Sequence, residues 1–339
     1  MRRGHGILAA LVLGAALWAY FVAHPLGGGA PSGPAAVKVW DVPLSAVTAL
    51  TFRDGAVQAR LEPKPAEGGG PPYVWVETES LTRPLPPVPP APGQPAPPPP
   101  PVRETVSFRG NAAALQLLRA TATLSAEREL GALSALDARQ FGLPGKDAYL
   151  ELQRQGAEPL RLELGRATFG DAGRYAHNPA NDRLYLLRAL ELRQLASGHA
   201  SLMDRDLLGL KSEQAQRIEL VVGGTPRTFH RLAAPGQWGA SPEATEPSAE
   251  LPPLLGLLES LRVTRYRGRA EAAPAAAPAL EVRLFRGEGK EPAAWLRLFP
   301  LAGTALAMGV SSHTRAPVEL ARQPVQQVLE KARGLLRGT

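Results

Sequence analysis

Apolar and polar residues alternate with period two along Ala148-Tyr149-Leu150-Glu151-Leu152-Gln153-Arg154 and again along Leu160-Arg161-Leu162-Glu163-Leu164. Gly156-Ala157-Glu158-Pro159 lies between them. The outline recurs at Ala279-Leu280-Glu281-Val282-Arg283-Leu284-Phe285 and Trp295-Leu296-Arg297-Leu298-Phe299, joined through Gly287-Glu288-Gly289. Successive side chains of a strand face opposite sides, so this period marks half-buried strands, and short glycine-bearing loops mark antiparallel hairpins. The two stretches read as copies of one unit.

A second outline also occurs twice: an opening strand (46–52; 216–222), a second strand (56–61; 225–232), a tryptophan (Trp75; Trp238), then a helix. Those helices are expected at 111–129, with Asn111 as N-cap, and at 254–261. Further helices are expected at 187–195 and 325–336; in the last, Val325, Val328, Leu329, Ala332, Leu335 and Leu336 share one face by their three-and-four spacing. Parallel strands would need long crossovers, whereas most connections here are short.

The predicted fold class is therefore α+β: about four units of antiparallel β-hairpin or meander plus helix, arranged as a duplicated two-unit block. The expected bounds are unit 1 at 37–136, unit 2 at 137–210, unit 3 at 211–273 and unit 4 at 274–339. Within unit 1, residues 84–101 are dominated by proline and read as a polyproline II insertion between strands at 73–76 and 105–108. A passive spacer is preferred there over a ligand for a partner module.

The pattern changes character at the N-terminus. From Ile7 to Ala23 every side chain is apolar, small or aromatic, and about 17 residues at about 1.5 Å each span most of a hydrocarbon core. Arg2 and Arg3 mark the near end as cytoplasmic, and Trp18, Tyr20 and Phe21 suit the far headgroup boundary. The reading is a cytoplasmic tail at 1–6, a transmembrane anchor in the lipid bilayer at 7–23 and a flexible tether at 24–36, rich in glycine and proline. A cleaved signal peptide is the alternative; the length of the run, with no Ala-x-Ala site directly after it, favours the anchor. The expected location is a bacterial inner membrane, single-pass, with the C-terminal domain in the periplasm.

Composition adds limits. The 339 residues are 44% hydrophobic, enough for one large or two modest cores. Cysteine is absent, which excludes disulfides, thiol chemistry and thiolate metal sites. The net charge of +7 comes with many more arginines than lysines and reads as compositional bias, so no nucleic-acid partner is expected.

Candidate chemistry is sparse. The phosphate loop, the nucleophile elbow and the paired histidines of a zinc helix are all missing from the sequence. His5 and His24 flank the apolar run, and His177, His199, His230 and His313 are far apart. The polar run His177-Asn178-Pro179-Ala180-Asn181-Asp182 reads as a hairpin tip, since Asn and Asp bond their own backbone and Pro presets φ. Asp204-Arg205-Asp206 spaces two carboxylates but lacks the further ligands of a calcium loop, so capping or an ion pair is expected. No catalytic, cofactor-binding or metal-ligating residue is assigned.

Phe141-Gly142-Leu143, Leu184-Tyr185-Leu186-Leu187 and Asp204-Arg205-Asp206-Leu207-Leu208 leading into Ile218-Glu219-Leu220 together resemble the domain of unknown function 4340 family. Its members are bacterial proteins with an N-terminal membrane segment and a repeated extracytoplasmic domain. The likeness runs from Val37 to the C-terminus, departing in the 84–101 insertion and in the aspartate-proline continuation, present here only as Pro144. The resemblance implies an accessory role beside membrane transport systems similar to the gliding-motility auxiliary ABC transporter, and it brings no catalytic residues.

The leading expectation is a non-enzymatic envelope protein that binds an envelope or transporter protein through sheet edges and hairpin tips. One alternative is an envelope-polymer module stacking peptidoglycan or polysaccharide on Trp75, Trp238 and Trp295. Another is a hydrolase of unfamiliar type, which requires a histidine to meet a carboxylate in a cleft.

Overall fold

The computed structural model describes residues 36–66, 71–82, 100–143, 147–268, 275–287, 289–300 and 305–337. The apolar run 7–23, the tail before it, all of the tether except Ala36, and all but the last two residues of 84–101 lie outside these. Among the described residues no helix is long and apolar enough to cross a membrane.

The first half of the chain begins with β1 (Val37–Lys38), β2 (Val47–Asp54), β3 (Val57–Lys64), β4 (Tyr73–Thr82) and β5 (Val102–Arg109). Helix α1 (Ala112–Ala122) follows, then β6 (Ser125–Ala126) and β7 (Arg128–Ala132). A meander of β8 (Ala148–Arg154), β9 (Ala157–Ala167), β10 (Gly173–Asn178) and β11 (Arg183–Arg188) leads to α2 (Ala189–Ser197) and the single turn α3 (His199–Leu202). The second half has β12 (Arg217–Val222), β13 (Thr225–Arg231), β14 (Trp238–Gly239), α4 (Leu251–Ser260) and β15 (Val263–Tyr266). It ends in β16 (Leu280–Phe285), β17 (Ala294–Pro300), β18 (Leu306–Ser311), β19 (Val318–Ala321) and α5 (Arg322–Arg337).

Nine strands form one sheet in the order β5-β4-β3-β2-β8-β9-β10-β11-β7, and eight form another in the order β14-β13-β12-β16-β17-β18-β19-β15. Their neighbours run antiparallel, as the short connections require. With β5 set aside the two orders correspond strand for strand: β2 with β12, β4 with β14, β10 with β18, β7 with β15. The fold is thus mainly antiparallel sheet with helices packed on it.

Alternation decides which face is buried. On β8, Ala148, Leu150 and Leu152 are buried while Tyr149 and Glu151 are partly exposed, and on β16 Leu280, Val282 and Leu284 are buried. Helix α5 covers the second sheet with Val325, Val328, Leu329, Ala332 and Leu335. Arginines and glutamates interlace on the outer faces, as where Glu281 meets Arg283 at 2.9 Å and Arg297 at 3.3 Å. Such exposed pairs contribute little energy but keep that face hydrated.

Three details differ from the sequence reading. Helix α1 is shorter than 111–129: Asn111 does cap it, accepting from the Ala114 amide at 3.2 Å, but the chain then turns into β6 and β7. Those strands pair with β1 and β11, and tertiary pairing overrides the helical continuation. The β8–β9 turn is tighter than Gly156–Pro159, with Arg154 opposite Ala157 and Gly156 at φ +65°. Trp75 and Trp238 occupy corresponding strands but opposite faces. Trp75 pairs with Glu62, directly after Leu61, whereas Trp238 pairs with Arg231, two residues after Phe229. Since Leu61 pairs with Leu50 as Phe229 pairs with Ile218, the tryptophans are one residue out of step, and one step reverses the side chain.

The two blocks meet along the segment that follows α3. Asn111 N donates to Leu202 O at 2.8 Å and Asp204 N to Arg109 O at 2.8 Å, while Val263 N donates to Arg205 O at 2.9 Å. One strand-like stretch thereby stitches the end of β5 to the start of β15. Beside it the rings of Phe108 and Tyr266 lie 5.8 Å apart.

Candidate functional site

At this junction the blocks enclose a cleft of about 490 Å³. Its walls are Tyr73, Arg109 and Asn111 from the first block, Asp204 and Asp206 from the joining segment, and Arg286, His313 and Arg315 from the second block. The turn between β18 and β19 delivers the last two.

That turn is locked from within. Thr314 N donates to Ser311 Oγ at 3.0 Å, Ser311 N to Thr314 Oγ1 at 3.2 Å, and Arg315 N to Ser311 O at 3.0 Å. Ser311 and Thr314 are wholly buried. The lock holds Arg315 at φ +56°, a left-handed conformation that costs a residue with a Cβ about 1 kcal/mol or more. The corresponding β10–β11 turn has a left-handed residue too, Asp182 at φ +58°.

From the locked turn His313 sets Nε2 2.9 Å from Asp204 Oδ2. Asp204 Oδ1 accepts from the Asp206 amide at 3.0 Å. Burial alone would raise the Asp204 carboxyl, but the bonds from His313 and Asp206 and the charge of Arg109 outweigh it and hold the group below its ordinary value. Tyr266 donates to Asp204 O at 3.3 Å, and burial pushes its hydroxyl far above the ordinary tyrosine value.

Tyr73 forms the opposite wall. The Arg109 guanidinium carbon lies 3.7 Å from the centre of its ring and that of Arg315 lies 5.7 Å away, distances at which a cation is attracted to an aromatic face. Among the described residues the buried Tyr73 hydroxyl has no hydrogen-bond partner, and burial raises its ionisation above the usual range. Burial also lowers Arg109 from its ordinary value, which the nearby Tyr73 and Asp204 partly offset.

The structure places the singled-out residues that lie among those described; His5 and His24 lie outside them. His177–Asp182 is a hairpin tip in which Asn178 Oδ1 accepts from Ala180 N at 3.0 Å and Asn181 Oδ1 from Arg183 N at 3.1 Å. His177 stands between Glu163 and Asp182, at 3.3 and 3.2 Å. His230 lies on β13 and His199 in α3. Asp206 forms an ion pair with Arg262 at 3.7 Å, and Asp204 accepts from the Asp206 amide, the arrangement expected of that run. Among the described residues no cluster of three His, Asp or Glu side chains is placed to hold a metal.

His313 and Asp204 do meet in a cleft, the arrangement a hydrolase would need. However, an added Cβ on Gly209 would lie 2.0 Å from His313 Nδ1, so the nitrogen left over for proton transfer rests against main chain. The stacking platform fares less well: Trp238 is 2% exposed and sealed in the core, leaving Trp75 and Trp295 half-buried on separate sheets.

One further feature escaped the sequence. Phe169, at the β9–β10 turn, is fully exposed. The turn is braced, since Thr168 N donates to Gly173 O at 2.9 Å and Gly173 N to Thr168 Oγ1 at 2.9 Å. Gly170 and Asp171 both have positive φ, +75° and +52°.

The fold and site define a class: paired antiparallel sheet-and-helix blocks joined across a polar cleft. The chain belongs to the domain of unknown function (DUF4340) family, whose model matches residues 106–279, from within β5 to the residue before β16, taking in the joining segment but not Tyr73, Arg286, His313 or Arg315. No curated protein and no solved structure matches the chain.

The quoted family segments have structural roles here. Gly142 is at φ +68° and a Cβ on it would lie 2.9 Å from Arg166 N, while one on Gly165 would lie 2.2 Å from Phe141 O. Phe141 packs edge-on against Tyr175 at 5.0 Å and Leu143 is buried, so Phe141-Gly142-Leu143 seats a crossing segment on β9 and β10. Leu207 and Leu208 anchor the junction in the core.

Proposed function

We propose that this chain is a non-enzymatic, membrane-anchored extracytoplasmic protein, an accessory or scaffold subunit of an envelope complex such as a transporter-associated system. Residues 7–23 hold it in the bilayer, 24–36 tether it, and a duplicated two-unit block, reflected in the matching strand orders, faces the periplasm.

The observation that carries this reading is Phe169. A lone exposed apolar residue needs no explanation, but a phenylalanine carried outward on a turn whose backbone is braced by main-chain and hydroxyl bonds between Thr168 and Gly173 saves the backbone part of the ordering cost of docking. Rigid aromatic anchors of this kind dominate protein interfaces. The far end of the β4–β5 ribbon adds a second element, with Leu81 and Val102 exposed on opposite faces and β5 at the sheet edge.

The test is purification of the full-length chain from detergent-solubilised membranes. A stoichiometric membrane protein is expected to co-purify with the parent and to be lost from Phe169→Asp, whose fold is unchanged. A solitary parent chain, or equal recovery with both, contradicts the reading.

A further inference from the structure

We infer that the interblock cleft binds a small oxyanion, a carboxylate or phosphate group, through Arg109, Arg286, the first amide of α1 and the Tyr73 hydroxyl.

The argument begins with Tyr73, a cleft-lining residue that is 5% exposed and whose buried hydroxyl has no hydrogen-bond partner among the described residues. Such an orphan is unfavourable and calls for a partner. The charged groups stacked on its ring, Arg109 and Arg315, carry only donors. What is missing is therefore an acceptor.

The rest of the wall fits the same ligand. Among the described residues the Arg109 guanidinium stacks on the Tyr73 ring and feels the charge of Asp204, but makes no hydrogen bond or ion pair. Arg286, exposed at the rim, likewise has no ion pair among them. Helix α1, 11 residues long, starts at the wall with Gly110, Asn111 and Ala112. Asn111 caps Ala114, so the Ala112 amide, at the wall, is left without an intrahelical acceptor. The two carboxylates present are already engaged, Asp204 by His313 and Asp206 by Arg262. The remaining charge is positive.

The test is calorimetric titration of the full-length chain with inorganic phosphate and, separately, acetate, each at ionic strength matched with sodium chloride. Saturable binding of at least one is expected, and the arm that responds identifies the group. Arg109→Gln is expected to weaken it about tenfold or more and Arg286→Gln severalfold. Tyr73→Phe is expected to weaken it while leaving the melting temperature without anion equal or higher, because it deletes an unsatisfied hydroxyl. A merely structural tyrosine would lose stability instead. Should Arg109→Gln not fold, the other two variants decide. No response beyond that to chloride, or undiminished binding in Arg286→Gln and Tyr73→Phe, overturns the proposal.

Discussion

His313 Nε2 lies 2.9 Å from Asp204 Oδ2, a residue 109 positions earlier in the chain. Through this bond the last hairpin of the second block grips the segment that joins the blocks. Asp204→Ala leaves the half-buried imidazole without its acceptor and is expected to cost about 1–3 kcal/mol in chemical denaturation at neutral pH.

The same pair sets an acid dependence. Asp204 ionises below its ordinary value of 3.8 when folded, so the stabilisation is complete above that value and is lost as pH falls through the depressed one. Denaturation midpoints should therefore drop more steeply below about pH 4 in the parent than in Asp204→Asn. Parallel profiles would show that the contact carries no charge-dependent energy.

Gly209 is the counterpart of this grip, at φ +63° with His313 in the space a Cβ would fill. Gly209→Ala combines a left-handed alanine, about 1–2 kcal/mol, with displacement of His313, and should destabilise by about 2 kcal/mol or more. Gly236, at φ +74° with nothing near its missing Cβ, is the control, and Gly236→Ala should cost only about 1 kcal/mol.

The one-residue offset between the tryptophans predicts unequal substitutions. Trp238→Ala empties a sealed core position and should cost about 3–5 kcal/mol. Trp75→Ala, on the half-buried outer face, should cost clearly less in the same urea titration. Phe169→Ala, fully exposed, should stay within about 0.5 kcal/mol of the parent.

Much of the fold is legible in residue order because alternation and helical spacing are local signals. Ala148–Arg154 and Leu280–Phe285 can be read as half-buried strands from their own side chains, and Val325–Leu335 as one helix face. The shorter elements resist such reading. Ser125–Ala126 is a strand only because Val37–Lys38, far back in the chain, pairs with it, and Trp238–Gly239 only because the end of β13 does. The cleft is less legible still: Asp204 stands out in the sequence, yet its partners Arg109 and His313 come from other elements, and nothing in the spacing announces them. The one local hint is Ser311-Ser312-His313-Thr314, a polar run between two strand patterns that mirrors the run at 177–182.

The membrane-held, outward-facing placement is tested most directly by labelling, because the chain has no native cysteine. Glu158→Cys, exposed at the β8–β9 turn and at the other end of β9 from Phe169, should react in intact spheroplasts with a maleimide that cannot cross the inner membrane, and the labelled protein should sediment with membranes. Reaction only after lysis, or a labelled chain left in the soluble fraction, would contradict it.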